Sequence, residues 1–331
     1  MLKKVLGVTA IVLLAAAGVA VSRVSWRPAM RPAPTITVER TAQQVARGQY
    51  LSEHVLTCWG CHNARDWTRW GGPISGPRGE GGTDCLLRKN GFGGTVCPSN
   101  VTPDPETGIG TWTDGEIVRA LREGVDRDGR ALFPFMPFYS FRRMSDEDTY
   151  AVVAYLRALP AVRHRLPTVE FDFKQTLENN KMPRPVDGPV PAIDPADHVR
   201  YGQYLAQLTG CEFCHSPAGP DMLPLAGKLY SGGVEFFETW GVVRTANITP
   251  HETGIKGVTR AEFISRFKAF ANIPAVAVKP PDPSRNTIMP WLEFSGMTEE
   301  DLGDIYDFLQ TVPPIDHRVE KYPPKVAAAG H

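Results

Sequence analysis

The pentapeptide Cys-x-x-Cys-His occurs twice, as Cys58-Trp59-Gly60-Cys61-His62 and as Cys211-Glu212-Phe213-Cys214-His215. Two thiols at this spacing can add across the vinyl groups of a haem, while the adjacent imidazole swings under the iron as an axial ligand. With six Cys and eight His in 331 residues, independent placement yields roughly 0.003 such pentapeptides, so two copies are no accident. A zinc site is the main alternative, because the thiolates of two Cys-x-x-Cys pairs can close a tetrahedral shell. Such a site requires no histidine after each second cysteine. A thioredoxin-like redox pair would need a βαβ setting that neither motif has.

An internal repeat organises the rest of the chain. Gly48-Gln49-Tyr50-Leu51 precedes the first motif and Gly202-Gln203-Tyr204-Leu205 the second. Asn100-Val101-Thr102-Pro103 returns as Asn247-Ile248-Thr249-Pro250, and Glu106-Thr107-Gly108-Ile109 as Glu252-Thr253-Gly254-Ile255. The chain is one domain written twice, at about 38–165 and about 196–315, with a Pro-rich linker at 166–195 and a frayed tail at 316–331. Thr41-x-x-Gln44, Thr113-x-x-Glu116 and Thr259-x-x-Glu262 have the form of capping boxes. Ile117 with Leu121, and Phe263 with Phe267, lie four apart and share a helix face, and Val45, Leu51 and Val55 are inward positions before the first motif. Final helices start at Ser145 and Thr298, each with carboxylates in the first turn. No strand pattern competes, so the fold is expected to be mainly α, with three or more helices per domain.

Lys plus Arg and Asp plus Glu both number 36, which removes any overall field for nucleic acid or a bulk anionic partner. Thirty prolines and thirty-one glycines suggest long ordered loops wrapped around a group such as haem. Residues 1–37 read as a targeting segment and tether. Lys3 and Lys4 precede an uncharged run at 5–21, which is either a secretory signal cleaved near Gly18-Val19-Ala20 or a retained anchor. Pro28 to Pro34 suit a stiff tether after it. Either way the chain is expected to be exported to the periplasm, an oxidising compartment, where Cys85 and Cys97 are expected to form a disulfide closing a Gly-rich loop. A thiol pair for redox control, or a thiolate ligand, is the alternative for these two.

The far side of each iron needs a ligand too, and its identity separates carriers from catalysts. Met136 and Met289 each lie 74 residues after their histidine (136 − 62 and 289 − 215), and each opens Met-Pro with a phenylalanine five positions on, Phe141 and Phe294. Proline stiffens the loop and pushes the residue before it toward an extended form. Met144 and Met297 also repeat, but they precede the caps of the last helices, where an apolar residue staples onto the first turn. His54, His164, His198, His251 and His317 show no matching partner between the halves and read as surface or satisfied polar residues. The Asn-x-Thr matches at Asn100 and Asn247 are formal glycosylation sequons, although their repetition suggests a loop at the haem edge.

With these motifs the two halves look like class I cytochrome c domains. More closely, Asn247-Ile248-Thr249-Pro250 and Met289-Pro290, with their first-half counterparts, resemble the cytochrome c subunits of periplasmic alcohol, gluconate and related dehydrogenases. The chain departs from those subunits in having two haem motifs instead of three, and in its enlarged Cys85–Cys97 loop. The resemblance implies two covalently bound haem c groups, with thioethers at Cys58, Cys61, Cys211 and Cys214, proximal His62 and His215, and distal Met136 and Met289. The function expected is electron transfer between a dehydrogenase or quinol-linked donor and a downstream cytochrome or oxidase, rather than free-standing catalysis. The alternative is a catalytic dihaem enzyme, of peroxidase or thiosulfate dehydrogenase type, with one exchangeable haem site.

Overall fold

The computed structural model describes residues 27–87, 93–219, 223–238, 241–271 and 286–323. The uncharged run at 5–21 and the last eight residues lie outside them. Among the described residues no helix is long and apolar enough to cross a membrane.

The protein is mainly helical. Helix α1, Ala42–Tyr50, continues as a π turn over Leu51–Val55 and then a 3-10 turn at Cys58–Gly60 that carries the first Cys-x-x-Cys-His motif. Helices α2 (Asp114–Glu123), α3 (Phe138–Phe141) and α4 (Asp146–Ala158) complete the first half. After α5 (Phe173–Asn180), the second half repeats the order. It runs α6 (His198–Leu208), α7 (Cys211–Cys214) with the second motif, α8 (Arg260–Lys268), α9 (Trp291–Phe294) and α10 (Glu299–Leu309).

The caps fall where the sequence puts them. Thr113 accepts the Glu116 N–H at 3.1 Å while Glu116 accepts the Thr113 N–H at 2.7 Å, and Thr259 with Glu262 does the same at 3.2 and 2.8 Å. Thr41 accepts the Gln44 N–H at 3.2 Å. Ser145 and Thr298 cap α4 and α10, and Met144 and Met297 before them are buried as staples. Leu51, Val55, Ile117, Leu121, Phe263 and Phe267 are all buried in one apolar cluster that runs through both halves.

The repeated Gly-Gln-Tyr-Leu has two structural jobs. Its glycine is where the first and last helices of each half cross: a Cβ on Gly48 would stand 1.9 Å from the Ala151 carbonyl oxygen, and one on Gly202 would stand 1.8 Å from that of Asp304. Its tyrosine reaches into the opposite half. The Tyr50 hydroxyl accepts the Thr298 N–H at 3.1 Å and donates to Asp301, while the Tyr204 hydroxyl accepts the Ser145 N–H at 3.2 Å and donates to Asp148 at 2.7 Å. Each half therefore helps to cap the other's last helix, and burial together with the Asp148 carboxylate keeps the Tyr204 phenol protonated.

Three segments are more ordered than their composition suggests. The Pro-rich segment before α1 lies along α2, with the Pro34 carbonyl where a Gly115 Cβ would be and the Val38 N–H on Asp114 at 2.9 Å. The Pro-rich stretch after α4 pairs strand β4 (Glu170–Phe171) with β3 (Gly94–Thr95) and forms α5, capped by Asp172. The tail is not frayed from its start: the Lys321 carbonyl accepts the Arg244 N–H at 2.9 Å, and the Tyr322 hydroxyl donates to the Asn286 carbonyl at 3.2 Å. Strands also form where none was expected. They are the short pair β1 (Ala64–Arg65) and β2 (Ile74–Ser75), and the hairpin β5 (Glu235–Glu238) with β6 (Gly241–Arg244).

Candidate haem-binding sites

Each Cys-x-x-Cys-His motif sits on a short helical turn entered through a left-handed residue, Thr57 (φ 49°) before the first and Gly210 (φ 75°) before the second. The turn brings the histidine back toward the core and hands its ring to a fixed acceptor. His62 Nδ1 lies 2.7 Å from the Ser99 carbonyl oxygen, and His215 Nδ1 lies 2.7 Å from that of Ala246. Burial lowers both imidazole pKa values and so favours neutral rings. A neutral ring that donates from Nδ1 leaves its Nε2 lone pair for a metal, which is the usual second-shell arrangement around a ligating histidine.

Ser99 and Ala246 directly precede the repeated asparagines, which explains that repeat. Asn100 is buried, donates from Nδ2 to Thr107 Oγ1 (3.0 Å) and the Val162 carbonyl (2.8 Å), and accepts the Thr102 N–H (2.9 Å). Asn247 makes the same set to Thr253 (3.1 Å), Ile315 (2.8 Å) and Thr249 (2.9 Å). Both amides are thus committed to the loop that aims the histidine, and neither is a free glycosylation acceptor.

The histidines at 164 and 317 require a correction. They do recur, each 102 residues after the motif histidine (164 − 62 and 317 − 215). The His164 N–H donates to Thr107 Oγ1 at 3.0 Å and its Nδ1 lies 2.9 Å from the Glu80 carbonyl; His317 does the same with Thr253 (3.0 Å) and Ser231 (3.0 Å). The next residues, Gly81 and Gly232, donate their N–H groups to the His62 and His215 carbonyls at 3.0 and 2.7 Å. The shared offset, with Pro160 and Pro313 four residues before and Arg165 and Arg318 directly after, is the signal that could have found them. His54, His198 and His251 are satisfied polar groups, bonded through Nδ1 to the Glu293 carbonyl, Asp304 and Thr253.

The two Met-Pro loops have one conformation. Pro137 has φ −82° and ψ 48° and Pro290 φ −78° and ψ 59°, and the N–H two residues after each methionine returns to the methionine carbonyl at 2.8 Å. Met136 and Met289 are half-buried against the cluster that also holds Cys58 and Cys211.

Desolvation pushes the half-buried Cys58 and Cys214 thiols up to about 12 and raises that of Cys211, while Cys61 is exposed. Such surroundings penalise the thiolates a zinc site needs and suit neutral thioethers. Among the described residues no group of three or more His, Cys, Asp or Glu side chains converges as a metal cage. The donor set therefore fits covalently attached haem: paired uncharged sulfurs, an imidazole anchored by Nδ1, and a thioether on a stiff loop. Cys85 and Cys97 are disulfide-bonded in the structure, in the loop between the first motif and Ser99.

The two sites adjoin. The Tyr139 ring, on the helix after Met136-Pro137, lies 5.5 Å from the Phe213 ring inside the second motif. Glu293, on the helix after Met289-Pro290, reaches Arg65 just past the first motif.

Comparison with known proteins agrees with this chemistry. No protein-family model matches the chain. It is 33% identical over 226 residues to one of the subunits of the nicotinate dehydrogenase of Pseudomonas putida, a match covering 66% of this chain and 18% of that protein. It is 30% identical over 210 residues to the cytochrome c subunit of the quinone-dependent alcohol dehydrogenase of Gluconobacter oxydans, covering 59% and 41%. The chain resembles dehydrogenase cytochrome c subunits. A diheme cytochrome c-type protein of Cereibacter sphaeroides is 29% identical over 231 residues, covering 68% of this chain and 74% of its own length. The matches to the first two relatives span less than half of each. These cytochrome c relatives imply covalently bound haem c.

Proposed function

We propose that the protein is an exported dihaem c-type cytochrome that carries electrons from a dehydrogenase, or a quinol-linked donor, to a downstream cytochrome or oxidase. Cys58, Cys61, Cys211 and Cys214 would attach the two groups, and His62 with Met136 and His215 with Met289 would supply the iron ligands. The observation that carries this reading is the duplicated anchorage of His62 on Ser99 and His215 on Ala246, both at 2.7 Å. When bound, the haem supplies reversible one-electron exchange at iron. The chain supplies ligand identity, a dry pocket and a fixed spacing between the two centres. On this reading each half is a tandem cytochrome c domain, residues 5–21 direct export as a cleaved signal or a retained anchor, and the Cys85–Cys97 disulfide forms in the periplasm.

Protein matured in a host that attaches haem c should weigh two haem groups more than the processed polypeptide and keep its colour through acid-acetone extraction. Its ferric form should carry the sulfur-to-iron band of His/Met ligation at both centres. A colourless preparation refutes the reading. Prompt carbon monoxide binding by one reduced haem points instead to a catalytic dihaem enzyme with an open site.

A further inference from the structure

The two halves repeat their caps, histidine anchors and methionine loops, so a charge present in only one of them can make the two centres differ. Arg65 and Glu293 are the buried pair of this kind at the junction between the halves. Their counterparts, counted from the motif histidine or the methionine, are Ala218 and Ser140. The side chains of Arg65 and Glu293 are only 8% and 10% exposed and lie 3.7 Å apart across the junction between the halves. The guanidinium is fixed from several sides: Nε donates to the Gly72 carbonyl at 2.6 Å, Nη2 to that of Gly71, Nη1 to that of Gly60 inside the first motif at 3.4 Å, and the group lies 4.6 Å from the Trp67 ring. Glu293 is held less completely. Its Oε2 is buried with no hydrogen-bond partner, so its charge is neutralised by Arg65 and little else.

We propose that the Arg65–Glu293 pair sets the potential of the first haem apart from that of the second, with Arg65 raising it and Glu293 moderating the rise. This rests on the dihaem reading above. A fixed cation beside the first motif disfavours the extra positive charge of ferric iron, and a carboxylate next to it offsets part of that effect. Both act strongly in a buried setting. The pair tunes the centre without touching the iron.

The test is a potentiometric titration of the mature haem protein, followed in the visible bands, for wild type, Glu293→Gln, Arg65→Gln and the double variant. A Met289→His background labels the second haem, whose wave alone should move down when thioether is replaced by imidazole. Glu293→Gln should shift the first haem's midpoint upward, Arg65→Gln should shift it downward, and the double variant should fall between them, with the second wave in place. If Arg65→Gln does not fold, the near-isosteric Glu293→Gln decides alone. No shift, an equal shift of both waves, or movement confined to the labelled wave overturns the proposal. A preparation with no covalent haem shows no wave at all, and defeats the dihaem reading itself together with this inference.

Discussion

Replacing Asn247 by alanine should unfold the second site before it disturbs the first. Asn247 is 4% exposed. Its amide donates at 3.1 Å to Thr253 Oγ1 and at 2.8 Å to the Ile315 carbonyl, and its oxygen accepts from the Thr249 N–H at 2.9 Å and the Thr249 hydroxyl at 2.8 Å. Alanine removes all of these. The Thr249 hydroxyl can turn fully to the Ile315 carbonyl, which it already approaches at 3.4 Å, so the lasting damage is fewer bonds and a stranded Thr249 N–H. With about 1 kcal/mol for each net bond lost and about 1–3 kcal/mol for the stranded donor, the expected cost is about 3–5 kcal/mol. For a domain of this size that corresponds to a melting temperature lower by roughly 6–20 °C. Because Ala246 precedes Asn247 and holds His215, the variant should also lose the native Soret signature of the second haem at lower urea than that of the first. Urea unfolding followed by far-ultraviolet circular dichroism and by the Soret band measures both, and Asn100→Ala should mirror the result at the first haem. A loss below about 1 kcal/mol in both variants would refute the argument that these asparagines hold the histidine-anchoring loops together.

Tyr204→Phe removes the hydroxyl that links Ser145 and Asp148 across the halves, and should cost about 2 kcal/mol; a thermal melt indistinguishable from wild type would remove that interface from the account. Gly202→Ala sets a helix-propensity gain of about 1 kcal/mol against a Cβ 1.8 Å from the Asp304 carbonyl oxygen. The backbone must move, so net destabilisation of about 2 kcal/mol or more is expected, and a neutral or stabilised variant contradicts the crossing geometry. Asp301 supplies a pH test, because burial holds its carboxyl above the usual range against the pull of Tyr50 and Arg47. Between its unfolded value near about 3.9 and the raised native one, the folded state binds more protons, so this group lowers stability as pH rises. The stability of Asp301→Asn relative to wild type should therefore improve through that window and then level off. A relative stability of the variant that stays flat or falls as pH rises through that window would overturn the assignment.

The features legible in the sequence are those whose chemistry is local. Thr113-x-x-Glu116 and Thr259-x-x-Glu262 name their own partners three residues away, and Met144 and Met297 are staples because Ser145 and Thr298 follow them. Gly-Gln-Tyr-Leu stood out as a repeat, but its meaning lay far along the chain, in an Ala151 or Asp304 carbonyl at a helix crossing and in the cap of a helix from the other half. The β5–β6 hairpin has no clean alternation to reveal it: Phe236 and Phe237 are adjacent and the second is 75% exposed, and the register is held partly by the Glu235–Arg244 ion pair at 2.7 Å. Helix α5 was hidden by prolines on both sides, although Asp172-x-x-Gln175 carries the same capping logic as the others. His164 and His317 share a Pro four residues before (Pro160, Pro313), a β-branched residue two before (Val162, Ile315) and an Arg directly after (Arg165, Arg318), but their partners Thr107 and Thr253 lie more than fifty residues away, so the local pattern names no bond.

The symmetry of the contacts has a consequence for electron transfer under the proposed function. A tyrosine from each half caps a helix of the other, α3 of the first half touches the second motif, and α9 of the second half reaches the residue three past His62. Four links of this kind, made by buried or half-buried groups, oppose hinge motion between the halves, so the separation of the two centres is a property of the fold and not of partner binding. Exchange between the centres would then keep one rate whichever protein is docked, and direction would have to come from a difference in potential. Duplicated anchors of equal length, 2.7 Å at both histidines, provide none. Unpaired features do: Arg65 with Glu293 and the disulfide loop leading to Ser99 on the first side, and Lys321, which acts on His215 and is matched by Thr168, on the second. The two centres are therefore surrounded by unlike charge although their anchors are alike, so the direction of exchange rests on these unrepeated side chains and not on the repeated ones.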